Sequence, residues 1–275
     1  MITRCRPLLG TFVEITAPAE AGAAIDAAFA AVQHVHERMS FHDEQSDLAR
    51  LRRAEPGEIV EVDRETVSVL KLAVALHDAT DGLFDVGVGR ELVRSGFLPR
   101  NGIVHLSRFS GNTSDIAIID DTHLLCERPI LIDLGGIAKG HAVDSAVETL
   151  VAAGTEHGLV NAGGDLRMFG GRDWQVQLRD GDHSINRQLT FRNCAVASSA
   201  NRNNRRRYRL KSCGPHYGRD RRSVLIDHRI TVIAERCVIA DAMTKVAMVD
   251  PDLADQLLAP HRGYVLGHLA MAEAG

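Results

Sequence analysis

The chain has 275 residues, of which 45% are hydrophobic and 25% are charged. This composition is typical of a soluble globular protein and argues against a disordered or fibrous chain. The formal net charge of -4 hides an uneven distribution, because residues 201–222 carry nine Lys or Arg and one Asp, a net charge of +8 that leaves -12 on the rest of the chain.

The chain begins with an apolar stretch that is interrupted at Gly10 and Glu14, and this pattern predicts a strand. A secretion signal would need a longer apolar region and a small-residue cleavage site. No apolar run approaches the roughly 20 residues of a membrane-spanning helix. The five cysteines are scattered and form no Cys-x-x-Cys pair, which fits reduced thiols and argues against a disulfide framework or a zinc site. We therefore expect a cytoplasmic protein without a membrane span.

Helical spacing of apolar residues predicts an amphipathic helix over residues 20–39, and a second helix follows Asp63, whose side chain can cap its amino terminus. Three short apolar runs, often β-branched, come next and predict a hairpin that leads into a strand; they lie at residues 116–119, 124–126 and 130–132. The last of these runs ends in a glycine turn, after which a third helical pattern extends to Leu150.

The second half of the chain alternates strand-like runs with turns. We predict strands at residues 159–161, 174–178, 189–191, 195–198, 224–226 and 230–233. A last helix is predicted at residues 238–249, ended by Pro251. Because the sequence shows no repeat, linker or domain boundary, these elements predict an α+β fold in one compact domain over residues 1–275.

Two glycine turns follow predicted strands. The first, residues 133–140 (DLGGIAKG), precedes a helix, so its backbone NH groups and Lys139 could hold a phosphate. It matches neither a P-loop nor Gly-x-Gly-x-x-Gly, and a tight turn with a surface lysine explains it equally well. The second, residues 161–165 (NAGGD), occupies the same position after its strand and could line the same crevice, or could be a hairpin turn.

The last predicted helix carries Asp241, Thr244 and Lys245 on one face. A carboxylate and a hydroxyl one turn apart are hard oxygen ligands that suit Mg²⁺. A salt bridge between Asp241 and Lys245 explains the same spacing without a metal. The thirteen histidines form no metal-ligand pattern and the chain has no Gly-x-Ser-x-Gly motif, so a metallohydrolase or a serine hydrolase is disfavoured.

Taken together, the ordered motifs resemble those of the ApbE-type FAD:protein FMN transferases. The matching segments span nearly the whole chain: residues 9–11 (LGT), 39–42 (MSFH) with 46–48 (SDL), 82–85 (GLFD), 133–140 with Val143-Asp144, 161–165 and 240–244 (ADAMT). The resemblance implies a T-fold-like α+β domain with mixed or antiparallel sheets and packed helices. It also implies an enzyme that binds FAD, uses Mg²⁺ and moves FMN from FAD onto a threonine hydroxyl of an acceptor protein, with release of AMP.

The same resemblance implies roles for individual residues. Lys139 and Asp241 would be catalytic, with Lys139 holding the diphosphate of the dinucleotide. Gly136, Asp241 and Thr244 would bind the metal. The flavin and the nucleotide would contact a larger set of residues: Leu9, His42, Leu83, Phe84, Asp85, Asp133, Lys139, Asn161, Gly163 and Gly164.

The sequence departs from the family pattern at several positions. Leu9 stands where the family usually has Met, and His42 replaces the usual Tyr. Position 245 is often a metal-binding Thr, whereas Lys245 places an ammonium there that would repel a cation or supply part of its charge. The family's Thr-Ser-Gly motif appears as residues 198–200 (SSA), and its later His-x-x-Asp-Pro-x-Thr-Gly loop survives only as residues 216–220 (HYGRD).

The basic segment, residues 201–222, lies within this divergent stretch. It could be a solvated loop, an electropositive rim that attracts an anionic dinucleotide or an acidic acceptor protein, or a nucleic-acid-binding surface. Only Tyr208 and Tyr217 interleave with the arginines and no recognition motif is present, so nucleic acid is disfavoured as a partner. Two alternatives to the transferase remain open: an FAD pyrophosphatase that forms FMN and AMP, and a non-catalytic flavin- or nucleotide-binding relative.

Overall fold

In the computed structural model of the chain, residues 1–179, 185–208 and 210–266 are described. These residues form seven α-helices: α1 (Gly22–Met39), α2 (Asp47–Arg53), α3 (Arg64–Ala79), α4 (Gly89–Arg94), α5 (Ala138–Ala152), α6 (Cys237–Ala247) and α7 (Pro251–Leu258). They also form fourteen β-strands: β1 (Ile2–Leu8), β2 (Thr11–Ala17), β3 (Ile59–Glu61), β4 (Ile116–Ile118), β5 (His123–Cys126), β6 (Gly158–Ala162), β7 (Asp165–Phe169), β8 (Trp174–Arg179), β9 (Ile185–Phe191), β10 (Ala195–Ser199), β11 (Arg206–Tyr208), β12 (Lys211–Cys213), β13 (Ile230–Ala234) and β14 (Tyr264–Leu266).

The predicted α+β class with antiparallel sheets is confirmed. Helices α1, α3, α5 and α6 lie where helices were predicted, and strands β6, β8, β9, β10 and β13 lie where strands were predicted. Every strand pair among the described residues is antiparallel. A helix able to span a membrane is not found in this part of the chain.

The chain divides into two compact units. The first unit comprises Met1–His36, Ile137–Asn203 and the described part of Ile226–Gly275, and the second comprises Glu37–Gly136 and Asn204–Leu225. The first unit thus holds α5, α6 and α7, and the second holds α2, α3 and α4. A single domain over the whole chain stays a prediction.

The first unit is built on a seven-stranded sheet with the strand order β1-β2-β6-β7-β10-β13-β14. Helix α5 packs on β6 and β7, and helix α6 packs on β10, β13 and α5. The side chain of Arg167, in β7, forms a hydrogen bond with α5. Its neighbours Leu166 and Met168 belong instead to an apolar cluster with Val176 of β8 and Phe191 of β9. Since successive side chains of a strand point to opposite faces, the β8–β9 hairpin covers the face opposite α5.

The amino-terminal segment forms a hairpin, which corrects the prediction of a single strand. β1 pairs with β2 in a register that places Leu8 opposite Thr11. The two residues between them, Leu9 and Gly10, have φ angles of 56° and 71°. Two-residue hairpin loops commonly need this left-handed conformation at both positions. The interruption of the apolar run at Gly10 is therefore a reversal of the chain.

The second unit contains the three-stranded sheet β3-β5-β4. The hairpin predicted from the first two apolar runs is confirmed as β4 and β5, which pair antiparallel. Asp63 caps α3 as predicted, because its side chain accepts a hydrogen bond from the Glu65 amide at 2.8 Å. An apolar cluster in this unit joins helix α4 to three loop residues: Phe41, Val93, Phe109 and Leu131.

Residues 130–132 form no strand, although their apolar character predicted one. They are buried, but their backbone bonds with a loop: the Leu131 carbonyl accepts from the Gly89 amide at 3.0 Å, and the Asp133 amide donates to the Val86 carbonyl at 2.8 Å. The apolar run therefore reflects burial inside the second unit and not a place in a sheet.

Two further predictions near the carboxyl terminus are corrected. Residues 224–226 form no strand, because the Val224 amide donates to the His216 carbonyl at 2.8 Å outside any sheet. Helix α6 ends before Pro251, and this proline opens α7 at a position where its missing NH leaves no hydrogen bond unmade. The side chain of Asp250 caps α7 by accepting a hydrogen bond from the third residue of the helix.

Candidate active site

Helix α5 approaches helix α6 closely at Gly140. A Cβ atom at this position would lie 2.8 Å from Cα of Val238 and would overlap the carbonyl group of Cys237, so the contact requires glycine. One turn further along α5, the carboxylate of Asp144 accepts hydrogen bonds from the amides of Cys237 at 2.9 Å and Val238 at 3.0 Å. These are the first amides of α6, and the preceding Arg236 supplies no side-chain cap. Asp144 therefore fixes the amino terminus of α6 against α5.

Lys139, Asp165 and Asp241 meet at the amino terminus of α5. Nζ of Lys139 forms an ion pair with Oδ2 of Asp165 and lies 3.6 Å from Oδ2 of Asp241. The same Oδ2 atom of Asp241 accepts a hydrogen bond from the Gly140 amide at 3.1 Å. Both carboxylates are buried, whereas the Lys139 side chain is 31% exposed. Two buried carboxylates thus orient an ammonium group that solvent or a ligand can reach.

Lys245 brings a second ammonium group to Asp241. Its Nζ lies 2.5 Å from Oδ1 and 3.1 Å from the main-chain oxygen of Asp241, 2.9 Å from Oγ1 of Thr244 and 3.0 Å from Oγ of Ser199. The two hydroxyl oxygens, of Ser199 and Thr244, are 2.8 Å apart. Two lysines and two aspartates therefore form one cluster of zero formal charge, called here the lysine–aspartate cluster: Lys139, Asp165, Asp241 and Lys245.

The environment of the cluster lowers the pKa of Asp241 and raises the pKa values of Asp165 and Lys139. Burial alone would raise the pKa of Asp241, but the charges of Lys139 and Lys245 outweigh burial and hold that pKa below its usual value. Burial and the neighbouring charge of Asp241 instead raise the pKa of Asp165. Burial disfavours the charged form of Lys139, yet Asp241 and Asp165 raise its pKa above the ordinary value. Lys139 is therefore a cation at neutral pH.

Two of the three residues predicted to bind a metal, Asp241 and Thr244, have oxygen atoms that contact the ammonium of Lys245. Mg²⁺ takes oxygen ligands at about 2.0–2.1 Å in near-octahedral geometry. Because Oδ1 of Asp241 and Oγ1 of Thr244 lie 2.5 Å and 2.9 Å from Nζ of Lys245, a cation bound to both oxygens would have to displace the ammonium. No group of three or more His, Cys, Asp or Glu side chains among the described residues is arranged to hold a metal ion. The arrangement does not fit a divalent cation at Asp241 and Thr244.

The second glycine turn joins β6 to β7, which confirms the hairpin interpretation of residues 161–165. Oδ1 of Asn161 accepts a hydrogen bond from the Gly164 amide at 2.9 Å, and Gly163 and Gly164 have φ angles of 66° and 102°. Asp165, the first residue of β7, then points toward α5 and contacts Lys139. The two glycine turns therefore contribute to one site, although the strands beside the second turn are antiparallel.

Four of the predicted cofactor-binding residues lie in or next to turns at one end of the seven-stranded sheet: Leu9, Asn161, Gly163 and Gly164. The β1–β2 and β6–β7 turns are neighbours, because a Cβ atom on Gly163 would lie 3.0 Å from Cγ2 of Thr11. Leu9 is half-buried and Gly163 is exposed. These positions suit contact with a ligand at the end of the sheet, and that contact stays a prediction.

The remaining predicted site residues belong to the second unit: His42, Leu83, Phe84, Asp85, Asp133 and Gly136. Leu83 and Phe84 are buried, His42 is exposed and the other three are half-buried. Oδ1 of Asp85 accepts hydrogen bonds from the Gly87 amide at 2.7 Å and from the amide and hydroxyl of Thr113 at 3.1 Å and 2.7 Å. Asp85 thus orders the loops around it, and the contact of these six residues with a flavin or metal stays a prediction.

Part of the basic segment makes contacts inside the second unit. The guanidinium of Arg221 donates to Oδ2 of Asp85 and Oε2 of Glu91, both at 3.0 Å. The guanidinium of Arg206 lies 5.1 Å from the ring centroid of Phe97. These two arginines stabilise the fold by ion pairing and cation–π contact. At these positions the basic segment is therefore not simply a solvated loop.

Three members of the site are absent from the residues predicted from sequence: Asp165, Ser199 and Lys245. Asp165 was visible as the last residue of the second glycine turn, and the spacing of Lys245 from Asp241 indicated their ion pair. Ser199 was visible as part of residues 198–200, which stand at the family's Thr-Ser-Gly motif, but its contact with Thr244 depends on the packing of α6 on β10.

Comparison with known proteins places this chain in a family. The chain matches the model of the ApbE family over residues 9–265. It is 26% identical to the FAD:protein FMN transferase of Vibrio cholerae over 251 residues, 79% of this chain and 70% of that protein. It is 25% identical to the FAD:protein FMN transferase of Haemophilus influenzae over 195 residues, 62% of this chain and 55% of that protein. The crystal structure of the ApbE protein of Thermotoga maritima matches with a TM-score of 0.82 and 26% identity, and covers 96% of this chain and 93% of that one.

An antiparallel α+β chain of this kind therefore has relatives along nearly its whole length. The chain belongs to the ApbE family.

Proposed function

We propose that this protein is an FAD:protein FMN transferase, which moves FMN from FAD onto a threonine hydroxyl of an acceptor protein and releases AMP. The observation that carries the proposal is the family match over residues 9–265, since relatives that bear this name are 26% and 25% identical to the chain. The lysine–aspartate cluster supports it, because the cluster presents an ammonium at the amino terminus of a helix, where anions are favoured.

In the proposed reaction the threonine oxygen attacks the phosphorus atom of the FMN half of FAD. A bond forms between that phosphorus and the threonine oxygen, and the bond between the phosphorus and the bridging oxygen breaks. AMP leaves with the bridging oxygen, and the hydroxyl proton is released. Catalysis of such a transfer depends mainly on positioning and on stabilisation of negative charge.

Lys139 is the residue best placed to stabilise that charge. Its ammonium is partly exposed, is held by Asp165 and Asp241, and stands in the first turn of α5. Ile137, the residue before this helix, supplies no side-chain cap. Because the Gly140 amide already donates to Oδ2 of Asp241, an anion beside the Lys139 ammonium would meet the amides of Ala138 and Lys139. These groups fit the diphosphate of a dinucleotide. Asp241 would act through Lys139 by fixing the position of its ammonium.

Several finer features of the function stay predictions. They are the use of Mg²⁺, the threonine motif of the acceptor, the cytoplasmic location and the flavin contacts of the second unit. We derive no step through Mg²⁺, since the oxygens of Asp241 and Thr244 contact Lys245.

Incubation with FAD and an acceptor protein tests the proposal. The acceptor carries one threonine in a flavinylation motif, and its matched control carries Val at that position. Intact-mass spectrometry should show the threonine acceptor heavier by one FMN, with one AMP released per modified acceptor, and no change in the valine form. AMP release at the same rate without acceptor would identify the pyrophosphatase instead. FAD binding without AMP or acceptor modification, with and without Mg²⁺, would identify the non-catalytic relative.

A further inference from the structure

The ammonium of Lys245 occupies a position surrounded by oxygen atoms from two elements. Three of the four oxygens belong to α6 (Oδ1 and the main-chain oxygen of Asp241, and Oγ1 of Thr244), and the fourth is Oγ of Ser199 at the end of β10. An exposed Asp–Lys pair on a helix would leave the ammonium largely in solvent. Here the side chain of Lys245 is only 17% exposed and that of Asp241 is fully buried.

The contacts at Lys245 have the chemistry of a cation site. A carboxylate oxygen, two hydroxyl oxygens and a carbonyl oxygen all point at one positively charged atom, within 2.5–3.1 Å. Carboxylate, hydroxyl and carbonyl oxygens are also the ligands that a hard divalent cation prefers. An ammonium has three N–H donors, so at any moment it can donate to three of these four oxygens at hydrogen-bond distance.

The charges of the lysine–aspartate cluster also indicate that Lys245 occupies a cation position. Asp165 and Asp241 carry two negative charges, Lys139 supplies one positive charge, and Lys245 supplies the second. Without the Lys245 charge the cluster would hold an unbalanced buried carboxylate, which is strongly unfavourable. The single charge of Lys245 brings the cluster to zero, whereas a divalent cation in that place would bring it to +1.

We propose that the ammonium of Lys245 takes the place of the divalent cation at Asp241, so that this protein binds the diphosphate of FAD and transfers FMN without a metal at that position. The inference rests on the proposed function for its statement about transfer. The part of the inference that concerns metal binding can be tested on the protein alone, whether or not it transfers FMN.

The first test measures metal binding directly, with Mn²⁺ as the paramagnetic probe and no FAD present. The wild-type protein should bind no Mn²⁺ that depends on Asp241. Lys245→Thr should bind one Mn²⁺ per chain, because the substitution removes the ammonium and adds a hydroxyl oxygen beside Asp241 and Thr244. The matched control is Lys71→Thr, which removes an ammonium that pairs with Asp121 at 2.8 Å on the protein surface, and it should bind no additional Mn²⁺.

The second test compares FAD binding and AMP release in EDTA and in Mg²⁺. The wild-type protein should give the same values in both. In EDTA, Lys245→Thr should bind FAD and release AMP roughly tenfold or more weakly than the wild type, the effect expected from loss of a charged contact. Its FAD binding and AMP release should recover in Mg²⁺. Lys71→Thr should behave as the wild type does.

The outcomes test separately the proposed transferase function and the replacement of the divalent cation by Lys245. Stoichiometric Mn²⁺ binding by the wild type that Asp241→Asn abolishes would overturn the inference, and so would a wild-type activity that EDTA removes and Mg²⁺ restores. If neither form modifies an acceptor under any condition, the proposed transferase function fails, while Mn²⁺ binding still decides whether Lys245 replaces the cation. If Lys245→Thr does not fold, as judged by circular dichroism, the two wild-type measurements remain decisive.

Discussion

Nη2 of Arg221 donates a hydrogen bond to Oδ2 of Asp85 across 3.0 Å within the second unit. The pair joins the most basic segment of the sequence to the turn that the family resemblance assigns to the flavin. Nη1 of the same arginine donates to Oε2 of Glu91, also at 3.0 Å. Arg221 has a φ angle of 55°, a conformation that is uncommon outside glycine and that these contacts maintain. The basic segment thus carries at least one residue that organises the second unit.

Replacement of Arg221 by Ala should lower the free energy of unfolding by about 2 kcal/mol, because the carboxylate of Glu91, only 1% exposed, would lose a charged partner. Urea denaturation followed by circular dichroism measures the change. Arg222→Ala is the matched control, since its side chain is 87% exposed, and should change the stability by no more than about 0.5 kcal/mol. Equal effects of the two substitutions would contradict a structural role for Arg221.

Replacement of Lys139 by Met should weaken FAD binding by roughly tenfold or more, because the cluster would change from zero to a net negative charge beside an anionic diphosphate. Quenching of flavin fluorescence measures the affinity. Lys71→Met is the control, because it removes an ammonium that pairs with Asp121 on the surface. The affinity of this variant for FAD should match that of the wild type. An unchanged affinity in folded Lys139→Met would remove Lys139 from the proposed diphosphate site.

Replacement of Gly140 by Ala should destabilise the protein by about 1–3 kcal/mol, because the added methyl group would overlap the backbone of Cys237 and Val238 at the start of α6. Thermal and urea unfolding measure the effect. Gly171→Ala provides the comparison, since no atom lies within 4 Å of a Cβ at that position, and its stability should stay within about 0.5 kcal/mol of the wild type. Wild-type stability in Gly140→Ala would mean that α5 and α6 are further apart than described.

The stability of the second unit should depend on pH through Asp120. Hydrogen bonds from the Thr122 amide and from the side chain and amide of His123 lower the pKa of Asp120 from 3.8 to about 2. Because the folded-state pKa is the lower one, the ionised carboxylate stabilises the fold fully above pH 3.8, and this contribution is lost as the pH falls through about 2.

Asp120→Asn removes that titration, so its stability should fall less steeply than that of the wild type as the pH decreases from about 4 to 2. Acid unfolding curves of the two forms provide the comparison, and the carboxyl carbon shift of Asp120 in NMR gives the pKa itself. Parallel curves together with a titration near 3.8 would contradict the hydrogen-bonded turn.

Local patterns in the sequence were sufficient to predict the elements whose causes are local. The spacing of apolar residues predicted α1 and α6, the side chain of Asp63 predicted the start of α3, and two short apolar runs predicted the β4–β5 hairpin. Each depends on residues within a few positions of one another, because helical periodicity, capping and turn formation act over that range. The ordered motifs were likewise sufficient to indicate the family.

Tertiary structure decided which of these residues meet. Residues 130–132 have the composition of a strand, but their hydrogen-bond partners lie in a distant loop. Asp165 contacts Lys139 only because the β6–β7 hairpin packs under α5, and Ser199 contacts Lys245 only because β10 packs under α6. Spacing alone left Asp241 equally suited to a metal or to a salt bridge. The four oxygens around Nζ of Lys245 distinguish the two: three belong to α6 itself, and the fourth, Oγ of Ser199, reaches Lys245 only because β10 and α6 approach one another in the folded chain.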